Sequence, residues 1–490
     1  MQTVSCPSCG AEVHFRSHAS VLAVCEYCHS TILKDADAVR DLGKMSAVLK
    51  DYSPIQIGTA GVHDGVHFTV VGRIQQRYSA GTWNEWYVLF DDTSTGWLGD
   101  SSGLYTLTAE ITDPKMLANL PAFAELLPGR QYQIDGVPYT VAEVRNAECI
   151  AGQGELPFKV GAGWRIQVAD LRSYSSFITL DYTDGPQPVL YLGFAVTLES
   201  LQCQLLRDDD AIAKSAGKYR GKLDALDCPS CGSGIKYVPG AAAQLVCPAC
   251  HAQLDASGQE AQVLAIGKQV HDNVDITLEL GASAKINNAD YTVIGMMRRA
   301  DDEGSEWNEY LLYNARAGFC WLVETDDGWS RSNVLPNWPN WTSLDADSCT
   351  LDGATYRKLY GYGSQVVYAA GAFNWKVAVG DSTQVVEFEH GQAKLAAELT
   401  GEEMTWSRSV PVAHDQMAAW FGAAFHGGVK TTNIRLSHRG IAKIFIVIVL
   451  VLNAIPMFVS FSSTLMWSLL GCLALFLPAA FLDKNEKNPP

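Results

Sequence analysis

Basic residues are scarce in this chain of 490 residues: 36 Lys and Arg stand against 53 Asp and Glu, a formal net charge of −17. Such a balance repels phosphate backbones unless a local basic patch overrides it, so generic nucleic-acid binding is disfavoured. Charge of either sign is thin, at 18% of residues, while hydrophobic residues reach 48%, which is the composition of a folded chain. Catalytic signatures are missing as well: there is no G-x-S-x-G, Walker loop, dinucleotide fingerprint or H-E-x-x-H. Met1 to Cys9 hold neither the basic stretch nor the apolar run of a secretory leader, so the soluble body is expected in the cytoplasm. Thirteen cysteines are an odd number for a disulfide framework, and a reducing compartment is expected.

Eight of those cysteines form two quartets, Cys6, Cys9, Cys25, Cys28 and Cys228, Cys231, Cys247, Cys250. Each reads C-x-x-C, fifteen residues, C-x-x-C, with a glycine (Gly10, Gly232) after the first pair. Two such turns on facing hairpins close a tetrahedron around Zn²⁺, and four thiolates leave no position for a catalytic water. Two structural zinc ions are expected, supplying folding energy to modules too small for a core. The second pairs also spell C-x-x-C-H, with His29 and His251, the attachment motif of c-type haem. Haem would use two cysteines of each four and implies export, so zinc is the expectation. Charges within residues 1–34 and 228–255 balance in each case, leaving no basic footprint for nucleic acid. His63 and His67 lie in a β-like stretch where a four-residue spacing is not a helical metal pair. Cys149, Cys203, Cys320, Cys349 and Cys472 read as buried thiols.

The quartets are displaced from one another by 222 positions, every cysteine alike, which marks a duplication. It continues through Val70-Val71-Gly72 and Val293-Ile294-Gly295, and through Trp83-Asn84-Glu85-Trp86 and Trp307-Asn308-Glu309-Tyr310. Between Ile134-Asp135-Gly136 and Leu351-Asp352-Gly353 the displacement has shrunk to 217, so the second copy has lost loop residues. Short β-branched and aromatic runs separated by Gly, Asp and Ser predict strands in hairpins. Large apolar residues on both faces of Trp83 to Phe90 suit a β-sandwich or barrel.

The expected fold is mainly β: zinc ribbon 1 over 1–34, a linker over 35–52, β-rich domain 1 over 53–205 and a linker over 206–227. Zinc ribbon 2 follows over 228–255, then a linker over 256–276 and β-rich domain 2 over 277–428. Asp35 to Tyr52 and Arg207 to Leu226 are rich in Ala, Leu, Lys and Asp and are expected to contain short helices.

From Ile444 to Leu482 there are 39 consecutive residues without Asp, Glu, Lys, Arg or His, about two bilayer crossings of roughly 20 residues each. Asn453, Pro456 and the polar stretch Ser460 to Thr464 supply the turn of a transmembrane helical hairpin over 441–482, behind a juxtamembrane segment over 429–440. Lys430, Arg435, Arg439 and Lys443 precede it and Lys484 and Lys487 follow it, which puts both ends, including the tail 483–490, on the cytoplasmic side of the inner membrane.

The W-N-E-aromatic box is the polar-aromatic cluster that both large domains keep. One reading is a hairpin whose Trp fills the core, with Asn and Glu at a turn or sheet edge. The other is a shallow cation site in which Trp83, Glu85 and Trp86, and Trp307, Glu309 and Tyr310, offer indole faces and carboxylates to an ammonium group. CPSCG, a second C-x-x-C, and a β-rich domain with this box resemble the bacterial domain-of-unknown-function 4178 family, here in two copies over most of residues 1 to 430. The resemblance implies no activity and no catalytic residues. It implies a role near the membrane linked to polyamines, whose synthesis genes often lie beside those of the family. Two classes of function follow: a membrane-tethered module that senses a ligand or scaffolds membrane or cytoplasmic proteins, and an enzyme with Glu85 or Glu309 as general base on a small cationic substrate.

Overall fold

The computed structural model describes residues 2–17, 19–28, 30–35, 38–44, 53–79, 81–101, 103–158, 163–208, 224–237, 244–250, 252–255, 262–266, 276–314, 316–426, 438–454, 464–474, 476 and 478. Two compact units result, residues 1–426 and 427–490.

Within the first unit each repeat closes into a barrel of eight antiparallel strands. In the first the ring runs Val66–Arg77, Thr82–Phe90, Thr95–Ser101, Leu104–Ile111, Val189–Val196, Ser176–Asp181, Trp164–Ser173 and Val137–Leu156, which pairs back onto Val66–Arg77. The second ring has the same order: Ala289–Asp301, Glu306–Asn314, Gly318–Thr325, Gly328–Val334, Met404–Val412, Ala393–Leu399, Ser382–His390 and Ala354–Phe373. Closure removes the exposed sheet edge that an open meander would carry. The closing pair meets at glycines in both copies, Gly72 opposite Gly154 and Gly295 opposite Gly371. A Cβ on Gly72 would collide with the Glu155 carbonyl, and one on Gly295 with that of Ala372. Gly154 and Gly371 sit at φ +70° and +92°, where a side chain is strained.

The ribbons are stitched into these sheets. Gln2–Ser5 and Glu12–Phe15 form a separate hairpin, but Leu22–Val24 pairs with Gly154, Glu155 and Leu156 of the barrel's longest strand. The stretch expected to be a helical linker from Asp35 to Tyr52 instead contributes the strand Ala38–Lys44, paired with Ser30–Asp35; residues 45–52 lie outside the described residues. Repeat 2 does the same with Gln244–Val246, Ala252–Asp255 and Gln262–Ile266. An open strand edge recruits its sequence neighbour, and this overrides the helix propensity of Ala and Leu. The second expected helical linker falls largely on residues 209–223, outside the described residues.

In the second unit, helical backbone covers His438–Leu452 and 464–474. Among the described residues no helix is long and apolar enough to cross a membrane, so the transmembrane hairpin expected over 441–482 is not seen. At 1.5 Å per residue the 15-residue helix is about 22 Å long, short of a hydrocarbon core of about 30 Å. Its last turn is tied by Asn453 Nδ2, which donates to the Val449 carbonyl at 2.8 Å. Residues 455–463, which hold the expected turn, lie outside the described residues. Large apolar side chains on these helices stand open, among them Val451, Leu452 and Trp467, each about two-thirds exposed at 67%, 71% and 68%.

Candidate metal centres and barrel lumen

Each cysteine quartet is assembled by two backbone knuckles. In the first, Cys6 N donates to the Ala11 carbonyl and Gly10 N to that of Cys6, both at 2.8 Å, with Gly10 at φ +78° turning the chain. Cys25 N donates to the Ser30 carbonyl at 2.9 Å. The second quartet repeats the pattern through Cys228, Ser233, Gly232 and Ala252. Sulfur separations are 3.6 Å for Cys6–Cys28 and Cys228–Cys250, and 3.7 Å for Cys9–Cys25 and Cys231–Cys247. Four thiolates about 2.3 Å from one ion make a tetrahedron with edges of about 3.8 Å, so both clusters fit a single metal ion. All four sulfurs of each set converge, which a haem attachment would not require. His29 and His251 lie outside the described residues.

Glu155 fixes the first ribbon to its barrel. Its buried carboxylate accepts from Arg16 N at 2.7 Å, Ser17 N at 3.0 Å and Ser20 Oγ at 3.0 Å.

The W-N-E boxes occupy the second to fifth residues of the barrel strands Thr82–Phe90 and Glu306–Asn314, just after the hairpin turns that precede them, and their side chains alternate between two environments. Asn84 and Trp86 face away from the lumen: Asn84 Oδ1 accepts from Arg73 Nη2 at 2.6 Å, and the Arg73 guanidinium lies over the Trp86 ring at 4.5 Å. Tyr310 takes the position of Trp86 and is fully buried, its hydroxyl bonded to Thr277. Neither Trp86 nor Tyr310 offers a ring to a ligand, and the shallow site expected from the sequence is not formed.

Trp83 and Glu85 point instead into a cavity of about 150 Å³ lined by all eight strands of the first ring, which makes it the barrel lumen. Trp83 Nε1 donates to Glu85 Oε1 at 2.9 Å, and Trp307 Nε1 to Glu309 Oε1 at 2.6 Å, so the box has one geometry in both copies. The Trp83 ring is covered by the Arg145 guanidinium at 4.9 Å and by the edge of Tyr78. The lumen wall carries four carboxylates, Glu85, Glu143, Asp170 and Asp181, against two guanidinium groups, Arg145 and Arg172. Arg145 pairs with Glu143, and Thr179 Oγ1 donates to Asp170 at 2.7 Å. Burial pushes Glu85 up to about 7, the charges of Asp170 and Asp181 adding to the rise and the Trp83 hydrogen bond opposing it. Burial likewise lifts Asp170 to about 6, with Glu143 adding to it, and raises Asp181. Gln76 lies across from Trp83 on the adjacent strand, lines the lumen and is 2% exposed; its side chain hydrogen-bonds to Glu85, while its Oε1 has no hydrogen-bond partner among the described residues.

Second-repeat residues Val334, Leu335, Trp338, Met404 and Thr405 wall one end of this lumen. Trp338 N donates to the Tyr174 carbonyl at 3.0 Å and Val144 N to the Glu402 carbonyl at 3.2 Å, so the two barrels abut there. Sequence reasoning missed Gln76, Arg145, Asp170 and Asp181, because they come from strands far apart in the chain. The signal was the odd charge in each of two otherwise apolar alternating runs.

Residues 56–197 and 279–414 match the family model described as Domain of unknown function (DUF4178). The chain belongs to that family. The two matched DUF4178 segments cover most of each barrel, and the first ribbon, the second ribbon and the C-terminal helices lie outside them. No curated protein and no solved structure matches the chain. Cys149, Cys320 and Cys349 are buried, and burial pushes each thiol up to about 12, as expected of inert core thiols. Cys203 is half-buried.

Proposed function

We propose that this DUF4178 protein is a membrane-tethered, non-enzymatic sensor or scaffold whose ribbons hold two structural zinc ions and whose first barrel takes a small organic cation in its lumen. The observation that carries the reading is the wall of that lumen, with its surplus of half-buried carboxylates beside an unsatisfied Gln76 acceptor. An ionised carboxylate out of water needs a countercharge, and an ammonium or guanidinium group with aromatic neighbours supplies it. Polyamines, suggested by the family resemblance, carry that chemistry. A ligand in the lumen would touch the second repeat at Trp338 and Met404, a route from occupancy to the rest of the body. Zinc would tie the paired hairpins of each ribbon and supply folding energy.

The membrane tether draws support from the 39 uncharged residues from Ile444 to Leu482 and from the open apolar faces of the C-terminal helices. The soluble body would then lie in the cytoplasm at the inner membrane. Calorimetric titration of the detergent-solubilised full chain with spermidine, at low and high salt, tests the cation reading. Heat at low salt that shrinks at high salt supports it, and no heat at low salt removes it.

A second reading has one observation in its favour. Glu85 titrates near 7, the range suited to a general base, so an enzyme acting on a small cationic substrate fits the same lumen. Chemical change of a bound polyamine, followed by mass spectrometry, separates it from the sensor.

A further inference from the structure

The two barrels are one experiment performed twice by duplication, and their lumens differ informatively at the position of Gln76 and Arg299. Strand register gives the equivalences. Gln76 lies opposite Trp83 and Arg299 opposite Trp307, so Gln76 and Arg299 occupy the same position. Asp181 lies opposite Val168, which faces Arg145, while Glu398 lies opposite Val385, which faces Tyr362; Arg145 and Tyr362 are displaced by the same 217 positions as the Asp-Gly turns before them. Glu85 and Asp181 of the first lumen therefore correspond to Glu309 and Glu398 of the second.

In the second barrel a guanidinium lies between that pair. Arg299 Nη1 stands 3.4 Å from Glu398 Oε2 and 3.9 Å from Glu309 Oε1, on a side chain 7% exposed. In the first barrel the same two carboxylates have no cationic side chain within salt-bridge distance among the described residues, and the arginine is replaced by a neutral, buried amide whose oxygen has no partner. Arg145 does not replace it, being engaged by Glu143 and by the rings of Tyr78 and Trp83.

We infer that Arg299 is a built-in stand-in for the ligand: the first lumen takes a free guanidinium or ammonium group between Glu85 and Asp181, and the second is closed to it. This rests on the cation reading above and sharpens it to one ligand per chain, with the residue at position 76 or 299 deciding whether a barrel is receptive. Gln76 accepts a hydrogen bond from the bound head group, which its neutral oxygen can do and an arginine cannot. The arrangement also assigns the barrels different work, the first to binding and the second to a permanently filled counterpart that packs against its rim.

The test is titration of the full-length chain in detergent with spermidine and, separately, with methylguanidinium. Wild type should bind one equivalent. Gln76→Arg should lose binding at least tenfold while melting at or above the wild-type temperature, and Gln76→Met, which removes the amide without adding charge, should weaken binding less. Arg299→Gln should raise the count from one to two, a gain that no folding defect can produce. Two equivalents in wild type, undiminished binding by a folded Gln76→Arg variant, or a count that stays at one in a folded Arg299→Gln variant would each overturn the inference and leave the cation reading standing. No binding of either probe by wild type would overturn both.

Discussion

Glu85 is the residue on which charge, burial and the proposed ligand meet. Its carboxyl is held at about 7, above the ordinary 4.5, chiefly by burial. The folded state therefore binds more protons than the unfolded state between those values, so the stability tied to this proton is present below about pH 4.5 and lost as pH rises through about 7. Trp83 on its own strand, Gln76 on the adjacent one, and Asp170 and Asp181 from farther round the ring act on it, with the Tyr191 phenol and the Cys149 thiol also within its field. Without ligand, the melting temperature should fall from pH 5 to pH 8, and Glu85→Gln should flatten part of that slope. Cation affinity should move the other way, rising about tenfold from pH 6 to pH 8 as Glu85 ionises. A slope unchanged by Glu85→Gln would place the titrating group elsewhere, Glu403 being another carboxyl that burial lifts to about 7.

At the scale of elements the ribbons and barrels are not beads on a string. Leu245 and Val246 pair with Ala372 and Gly371 of the second barrel's longest strand, so loss of a metal ion from the ribbon would be felt by that strand. Cys228→Ser should lower the metal content from two ions per chain to one and also lower the melting temperature of the second barrel, measured by metal analysis and calorimetry. An unchanged metal content would refute the tetrathiolate assignment. The cysteine spacing made both clusters legible because chelation is local in sequence, each knuckle being closed within a few residues. The W-N-E box was visible for the same reason, yet its surroundings were not. Asp170 and Asp181 reach Glu85 only through the register of strands some 85 to 96 positions away, and one residue of slip would have turned them outward. Asp35 to Tyr52 was expected to contain short helices because its composition favours helix, whereas over Ala38–Lys44 an available sheet edge decides otherwise.

For the whole molecule, duplication sets the plan, and divergence at positions 76 and 299 carries the proposed function. The repeat was readable from the cysteines and the box, and a barrel was one of the two expected architectures, but the choice of barrel over sandwich was not readable, since closure depends on glycine pairs such as Gly72 and Gly154 meeting across the ring. If the uncharged C-terminal run forms the proposed tether, the charge pattern around it predicts both of its ends on one side of the membrane. Reporter fusions after Ser437 and after Pro490 should both report cytoplasm, and a periplasmic signal from the second alone would mean an odd number of crossings. The most direct test of the central claim is an experimental structure of the full chain prepared with methylguanidinium. The account predicts a planar cation between the Glu85 and Asp181 carboxylates of the first lumen, and Arg299 alone between Glu309 and Glu398 of the second. Only water between Glu85 and Asp181, at a concentration where binding heat is saturated, would contradict it.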